Sequence, residues 1–101
     1  MVSVFLDDIR PAPKGFLRTY TVRETIALIK ELRAEGDVID VLSLDNDLGE
    51  GEPEGYKVLD WLEEEFFTDG SFVLPNRIVV HSSNASARMR MEMVIDRLYN
   101  G

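Results

Sequence analysis

Side chains suited to metal and phosphate chemistry follow three short apolar runs of this 101-residue chain. They are Asp7 and Asp8, then Asp45 and Asp47, and finally His81, Ser82 and Asn84. Carboxylates brought close together repel each other unless a cation lies between them, and hard oxygen ligands suit Mg²⁺ or Mn²⁺. The pattern therefore predicts one divalent cation shared by the four aspartates.

The histidine and its neighbours extend this prediction to a reaction on phosphate. An imidazole titrates near neutral pH, so His81 is a candidate general acid or base. Ser82 and Asn84 precede a predicted helix, whose first amides favour anions and would help these side chains orient phosphate oxygens. Arg10 and Arg88 are candidates for a direct charge contact with the phosphate.

Each of these residues also has a purely structural interpretation. An aspartate after a strand often caps a turn or a helix, and this applies to the three aspartates other than Asp45. Asn84 is a natural N-cap, and His81 could be a structural histidine satisfied by hydrogen bonds. Asp45 directly follows a buried run, which favours function, and it fits either a covalent nucleophile or a metal ligand.

The elements that must hold these residues alternate between strand and helix patterns. Short β-branched and apolar runs indicate strands, and apolar residues three to four positions apart indicate helices. Strands are expected at Val2–Leu6, 16–20, 38–44 and Arg77–Val80, and helices at 21–35, 55–67 and 85–98. Two prolines and a glycine in segment 9–15 predict a loop there.

This alternation predicts a parallel sheet with helices on both faces. In such sheets, ligands bind beyond the carboxyl ends of the strands. All three polar clusters follow strands, so they are expected to meet at that edge and form one site.

The composition restricts the class of protein. Hydrophobic residues make up 45% of the chain, enough for one core, so residues 1–101 are expected to form a single domain. The chain has no cysteine, which excludes a disulfide framework, a zinc ribbon and a cysteine nucleophile. Neither a signal peptide nor a membrane-spanning run is evident, so a cytoplasmic location without membrane binding is expected.

The charge restricts the partners. The net charge of −8 argues against nonspecific binding to duplex DNA, but a small phosphate-bearing substrate or an RNA end held through a cation is compatible with it. The exposed edge of the fourth predicted strand also offers a surface through which a homodimer could form.

The motifs together resemble the receiver domain of two-component signalling over nearly the whole chain. The matching positions are the Asp7-Asp8 pair, Asp45 as the phosphoacceptor, Gly55 and Ser82. The resemblance implies a receiver-like or flavodoxin-like three-layer α/β fold, with a doubly wound, four-stranded, mostly parallel sheet in the order 2-1-3-4. Compared with receivers, the proline-rich loop replaces the first helix, and the fifth strand with its lysine is missing.

Three segments resemble a divergent group, the cyclic-phosphate-processing receiver domains. They are residues 5–11 (FLDDIRP), 43–49 (SLDNDLG) and 81–84 (HSSN). The resemblance implies Mg²⁺- or Mn²⁺-dependent processing of a phosphate ester, such as a cyclic phosphate on a nucleotide or an RNA end. The alternative is a non-catalytic signalling or ligand-binding module in which Asp45 accepts a phosphoryl group or binds metal. The missing lysine argues against a switching receiver, whereas Asp47 and His81 favour chemistry.

Overall fold

Strands and helices alternate along the computed structural model, which describes every residue from Met1 to Gly101. The elements are β1 (Val2–Leu6), β2 (Phe16–Thr19), α1 (Val22–Ala34), β3 (Ile39–Leu44), α2 (Tyr56–Thr68), β4 (Arg77–Val80) and α3 (Ala85–Asn100). The predicted order of elements is confirmed. The predicted bounds differ from these by at most about two residues, as is usual at frayed element ends.

The four strands form one parallel sheet in the order β2-β1-β3-β4, which confirms the predicted topology. The connection from β1 to β2 is the loop 7–15, because Pro11 and Pro13 oppose a helix there. The crossovers from β2 to β3 and from β3 to β4 each contain a helix, and both move the chain in the same direction across the sheet. Right-handed crossovers therefore place α1 and α2 on one face.

All three helices pack on this face and share one core with the sheet. Helix α2 contacts both α1 and α3. On the strands, Val4, Leu6, Leu42 and Leu44 are completely buried in the core. The helices supply the other side of the core: Val22, Ile29, Leu32, Val58, Leu59, Leu62, Met91 and Leu98.

No helix packs on the opposite face of the sheet, so the expected third layer is not formed. Phe5 and Ser43 are register partners on this face. A right-handed crossover from β1 to β2 runs in the opposite direction to the others, so only a helix in that connection would lie on this face. The proline-rich loop 7–15 takes its place, which leaves a two-layer arrangement within the predicted α/β class.

Side-chain caps fix the starts of two helices. Thr21 accepts a hydrogen bond from the amide of Glu24 at the start of α1 (3.1 Å), as in a capping box. Asn84 caps α3 by accepting from the amide of Ala87 (3.1 Å). None of the helices has the length and apolar character needed to cross a membrane.

Candidate functional site

Backbone hydrogen bonds align the ends of the strands and bring three polar residues to the same height. Each of these residues donates its amide to the last carbonyl of the neighbouring strand: Asp7 to Thr19 (3.1 Å), Asp45 to Leu6 (3.0 Å) and His81 to Leu44 (3.0 Å). The parallel ladder thus continues one residue beyond the strands. Segments that are distant in sequence therefore end side by side.

Strand alternation also puts the three side chains on one face. Asp7 comes two residues after Phe5 and Asp45 two residues after Ser43, and residues two apart share a face of a sheet. This is the face without helices. One ligand atom from each of Asp7, Asp45 and His81 lies within 4.8 Å of the other two. We call these three residues the carboxylate–histidine group.

Asp7 is completely buried and its carboxylate is fully hydrogen-bonded. Its Oδ1 accepts from the amides of Ile9 (2.9 Å) and Arg10 (3.0 Å), and its Oδ2 accepts from Arg10 Nη1 (2.9 Å) and lies 3.0 Å from His81 Nε2. Burial alone would raise the pKa of this carboxyl, but the hydrogen bonds outweigh it and lower the pKa to about 2. Asp7 is therefore ionised at neutral pH.

Asp45 is buried but less completely paired. Its Oδ1 accepts from the amide of Asn46 (2.8 Å), and its Oδ2 lies 3.5 Å from Arg10 Nη1. Burial raises the pKa of Asp45 above its ordinary value, and the negative charge of Asp7 adds to the rise, although the Asn46 amide and Arg10 oppose it. An additional cation would stabilise this carboxylate.

The His81 ring is held on three sides. Ser43 Oγ lies 2.7 Å from Nδ1, Asp7 Oδ2 lies 3.0 Å from Nε2, and Phe5 stacks on the ring with a centroid distance of 4.3 Å. Because the ionised Asp7 can only accept, we assign the Nε2 proton to the bond with Asp7. Nδ1 of the neutral ring then accepts from the Ser43 hydroxyl.

Asp8 lies beside this cluster with one unpaired oxygen. Its Oδ1 is buried and has no hydrogen-bond partner. A Cβ at Gly49 would lie 3.4 Å from Asp8 Oδ2, so the loop after β3 approaches Asp8 closely. Gly49 has a φ of +103°, in the left-handed region that favours glycine. A buried carboxylate oxygen without a partner needs an explanation, and a bound cation would supply one.

The other predicted site residues lie outside the carboxylate–histidine group. Asp47 and Arg88 are both exposed and form no ion pair. Ser82 is buried, and its Oγ accepts from the amide of Asn84 (3.1 Å). Asn84 Oδ1 accepts from the amide of Ala87 at the start of α3, so this side chain serves as the N-cap.

Comparison with known proteins assigns the chain to a family. The family model for the cyclic-phosphate processing receiver domain matches residues 2–97. The chain belongs to this family. Neither the curated proteins nor the solved structures gave a significant match.

In this cyclic-phosphate processing receiver domain, tight packing after β3 fixes the backbone of Asp45. Asn46 is completely buried, its carbonyl accepts from the amide of Gly55 (2.8 Å), and its Oδ1 accepts from the amide of Tyr56 (3.1 Å). Its Nδ2 donates to Glu54 Oε2 (2.8 Å). A Cβ at Gly55 would lie 1.7 Å from the carbonyl oxygen of Asp45, so only glycine fits there.

Sequence reasoning missed four residues that support the site. They are Phe5 and Ser43, which hold His81, Asn46, and Arg18, whose Nε donates to the carbonyl of Asp7 (2.8 Å). Ser43 carried a usable signal, because a serine within the apolar run 41–44 must find a partner when buried. Phe5 and Arg18 carried none, since their roles depend on neighbours from other strands.

The residues of this receiver domain fit a divalent cation. Asp7 and Asp45 supply carboxylate oxygens, and Asp8 has an unpaired buried oxygen. His81 lies within 4.8 Å of the first two carboxylates, but both of its ring nitrogens already have partners. Carboxylates suit Mg²⁺ and Mn²⁺, whereas imidazole is a poor ligand for Mg²⁺. The carboxylate donor set therefore fits either Mg²⁺ or Mn²⁺.

Proposed function

We propose that this protein is a divalent-cation-dependent phosphoesterase that opens a cyclic phosphate on a nucleotide or an RNA end. The observation that carries the proposal is the carboxylate–histidine group, in which ligand atoms of Asp7, Asp45 and His81 lie within 4.8 Å of one another at the carboxyl edge of a parallel sheet. Membership of the cyclic-phosphate processing receiver family supports the choice of substrate class.

Asp7, Asp45 and Asp8 would hold the cation. When bound, a divalent cation supplies positive charge to the phosphate and makes a water molecule more acidic. Asp7 is well suited to this task, because its pKa of about 2 keeps it ionised without a cation. Asp47, which is exposed, would have to turn inward to become a fourth ligand.

His81 would move the proton that ring opening requires. Opening a cyclic phosphate adds one water: a P–O bond to the ring breaks, the hydroxyl adds to phosphorus, and a proton passes to the leaving oxygen. His81 Nε2 faces the carboxylates, and Ser43 and Phe5 hold the ring in one orientation. A positioned imidazole of this kind serves in general acid–base catalysis.

Arg10, Ser82, Asn84 and Arg88 remain the candidates for contacts with the phosphate and the rest of the substrate. Arg10 lies 2.9 Å from Asp7 and 3.5 Å from Asp45, so a positive charge is already present at the site. Ser82 and Asn84 lie immediately before α3, whose amino end favours an anion. Arg88 is exposed in the first turn of α3 and stays a candidate contact with the substrate.

The proposal is tested with a panel of 2′,3′-cyclic and 3′,5′-cyclic mononucleotides and short RNAs that end in a 2′,3′-cyclic phosphate. Wild-type protein should open at least one of them only when Mn²⁺ or Mg²⁺ is present. His81→Ala should lower the rate by roughly 10²- to 10⁴-fold, the range that general acid–base catalysis supplies. Asp45→Ala should abolish the cation-dependent activity, leaving the rate without protein.

Arg77→Gln is the matched control, because Arg77 is exposed at the start of β4. It therefore lies at the amino end of the strands, whereas the site lies at their carboxyl end. This variant should keep the wild-type rate. Activity that persists in folded His81→Ala and Asp45→Ala protein would place the reaction elsewhere. If His81 is instead a structural histidine, His81→Ala should lower the free energy of unfolding and leave the rate per folded molecule unchanged.

A non-catalytic signalling module is the second candidate, and one observation favours it. Both ring nitrogens of His81 already have partners within the protein, as in a structural histidine. In that case Asp45 would accept a phosphoryl group. Incubation with acetyl phosphate and Mg²⁺ separates the two functions: a stable gain of one phosphoryl group in wild type, absent from Asp45→Ala, would favour the signalling module.

A further inference from the structure

Arg10 occupies the place between the carboxylates that a cation would take. Its Nη1 lies 2.9 Å from Asp7 Oδ2 and 3.5 Å from Asp45 Oδ2, so one nitrogen contacts both aspartates. Asp7 is completely buried, and Asp45 nearly so. In this arrangement, the guanidinium is the positive charge that keeps the two carboxylates together.

We propose that Arg10 is an exchangeable internal cation, which a divalent cation displaces from Asp7 and Asp45 and which then binds an anionic phosphate group. The proposal rests on the cation site of the proposed function. It adds that the guanidinium and the divalent cation are alternative occupants of one position. Binding of the cation would therefore create the anion site.

The two occupants exclude each other because they use the same oxygen atoms. A divalent cation approaches a carboxylate oxygen to roughly 2.0–2.2 Å, within the first contact shell that Arg10 Nη1 now fills at Asp7 Oδ2. Two positive charges this close repel each other strongly. The guanidinium must leave before the cation can bind both aspartates.

The local structure allows Arg10 to leave without unfolding the loop. The side chain is 44% exposed, so a path to solvent is open. The backbone of Arg10 is held separately, because its amide donates to Asp7 Oδ1 (3.0 Å). Oδ1 and Oδ2 of Asp7 thus have different tasks: Oδ1 anchors the backbone of Arg10, and Oδ2 holds its side chain.

A displaced Arg10 would remain beside the site. Its Cα stays fixed by the Asp7 Oδ1 bond, so the long side chain turns about an anchored base. A guanidinium binds phosphate through paired hydrogen bonds, and the cation-bound aspartates no longer compete for it. Cation and phosphate would then bind with positive cooperativity, with Arg10 as the positioning residue that couples them.

The test is calorimetric titration of Mn²⁺ into wild type, Arg10→Gln and Arg77→Gln. Without Arg10 the cation has no competitor, so Arg10→Gln should bind Mn²⁺ at least about fivefold more tightly than wild type, a typical coupling between two ligands. Arg77→Gln removes the same charge at the amino end of the strands, away from the site, and should bind Mn²⁺ as tightly as wild type. This control separates displacement from the general effect of a more negative protein.

The second arm titrates inorganic phosphate into the Mn²⁺-saturated proteins, at concentrations that keep the salt dissolved. Arg10→Gln should bind phosphate at least about fivefold more weakly than wild type, so one substitution changes the two affinities in opposite directions. Without Mn²⁺, Arg10→Gln should melt below wild type, because Asp7 and Asp45 then repel each other. Saturating Mn²⁺ should remove this difference.

Each outcome decides a separate claim. Equal or weaker Mn²⁺ binding by Arg10→Gln would overturn the exchange and leave the cation site intact. Absence of Mn²⁺ binding in every variant would remove both the exchange and the cation site of the proposed function. If Arg10→Gln does not fold, Arg10→Lys gives the same test, since a lysine cannot match the paired contacts and should also bind Mn²⁺ more tightly than wild type.

Discussion

At the scale of single residues, the site depends on side chains that hold other side chains. Ser43 and Phe5 do not belong to the carboxylate–histidine group, yet they fix the ring of His81. The contact of Ser43 with Nδ1 leaves Nε2 as the nitrogen that faces the carboxylates. Ser43 therefore fixes the orientation of the ring, and the ionised Asp7 determines that Nε2 carries the proton.

Ser43→Ala tests this positioning role. The fold should survive with a loss of about 1 kcal/mol in the free energy of unfolding, the usual value of one hydrogen bond. Nitrogen chemical shifts of the imidazole should change, because Nδ1 no longer has a fixed partner, and the rate of ring opening should fall while the Michaelis constant changes little. Ser3→Ala is the control, because Ser3 lies on the same face of the sheet as Phe5 and Ser43. It should change neither the imidazole shifts nor the rate. Unchanged imidazole shifts in Ser43→Ala would contradict the assignment.

At the scale of elements, the site exists because three strands end in register and the segment after β3 packs tightly. The amide bonds of Asp7, Asp45 and His81 to neighbouring strands define the height of the site. Asn46 and Gly55 then fix the path from β3 towards α2. The position of Asp45 is thus a property of this segment as well as of the strand.

Gly55→Ala should damage this segment. The added Cβ would lie 1.7 Å from the carbonyl oxygen of Asp45, so the backbone must shift. Overpacking of this kind costs roughly 1–3 kcal/mol, measured by denaturant unfolding, and Mn²⁺ binding should weaken as Asp45 moves. Gly70→Ala is a matched control, because a Cβ at Gly70 meets no atom within 4 Å. Equal stability of the two variants would show that the close approach at Gly55 does not constrain the fold.

The elements were largely predictable from the sequence, and the contacts within the site were only partly so. Periodicity is local information, so the order of strands and helices follows from runs such as Val2–Leu6 and from the prolines of the loop 7–15. The meeting of Asp7, Asp45 and His81 follows from the parallel sheet. The pairing of Arg10 with two aspartates and of Ser43 with His81 depends on register between strands and on side-chain rotamers, which periodicity does not specify.

At the scale of the whole molecule, the helices cover one face of the sheet and leave the site at the edge of the other. This follows from a single local feature, the proline-rich loop that replaces one helix.

The carboxyl end of α3 is held against the segment before β4, because the Tyr99 hydroxyl donates to the carbonyl of Pro75 (2.5 Å). β4 remains an edge strand, so the homodimer through this edge stays a prediction.

Because of Tyr99, the free energy of unfolding should fall as pH rises in the alkaline range. Burial raises the pKa of Tyr99 from 10.0 to about 12, so the folded protein holds the phenol proton more tightly than the unfolded chain. The stability contribution is complete below pH 10 and is lost as pH rises from 10 to about 12. Denaturant unfolding at several pH values should show a smaller loss over this window in Tyr99→Phe than in wild type. Tyr20→Phe, an exposed site, should follow wild type, and parallel curves for all three proteins would contradict the prediction.

The central claim is that the carboxylate–histidine group processes a cyclic phosphate with the help of a divalent cation. Phosphorus NMR of a 2′,3′-cyclic mononucleotide tests it most directly, because ring opening gives a separate monoester signal. Timed samples are quenched with excess chelator before measurement, since paramagnetic Mn²⁺ would broaden the signals. With wild-type protein, the initial rate should rise with Mn²⁺ concentration and reach a plateau. With Asp45→Asn, which keeps the shape of the side chain but removes its charge, the rate should stay at the level without protein. Ring opening that proceeds equally with and without Mn²⁺, or equally in folded Asp45→Asn, would contradict the claim.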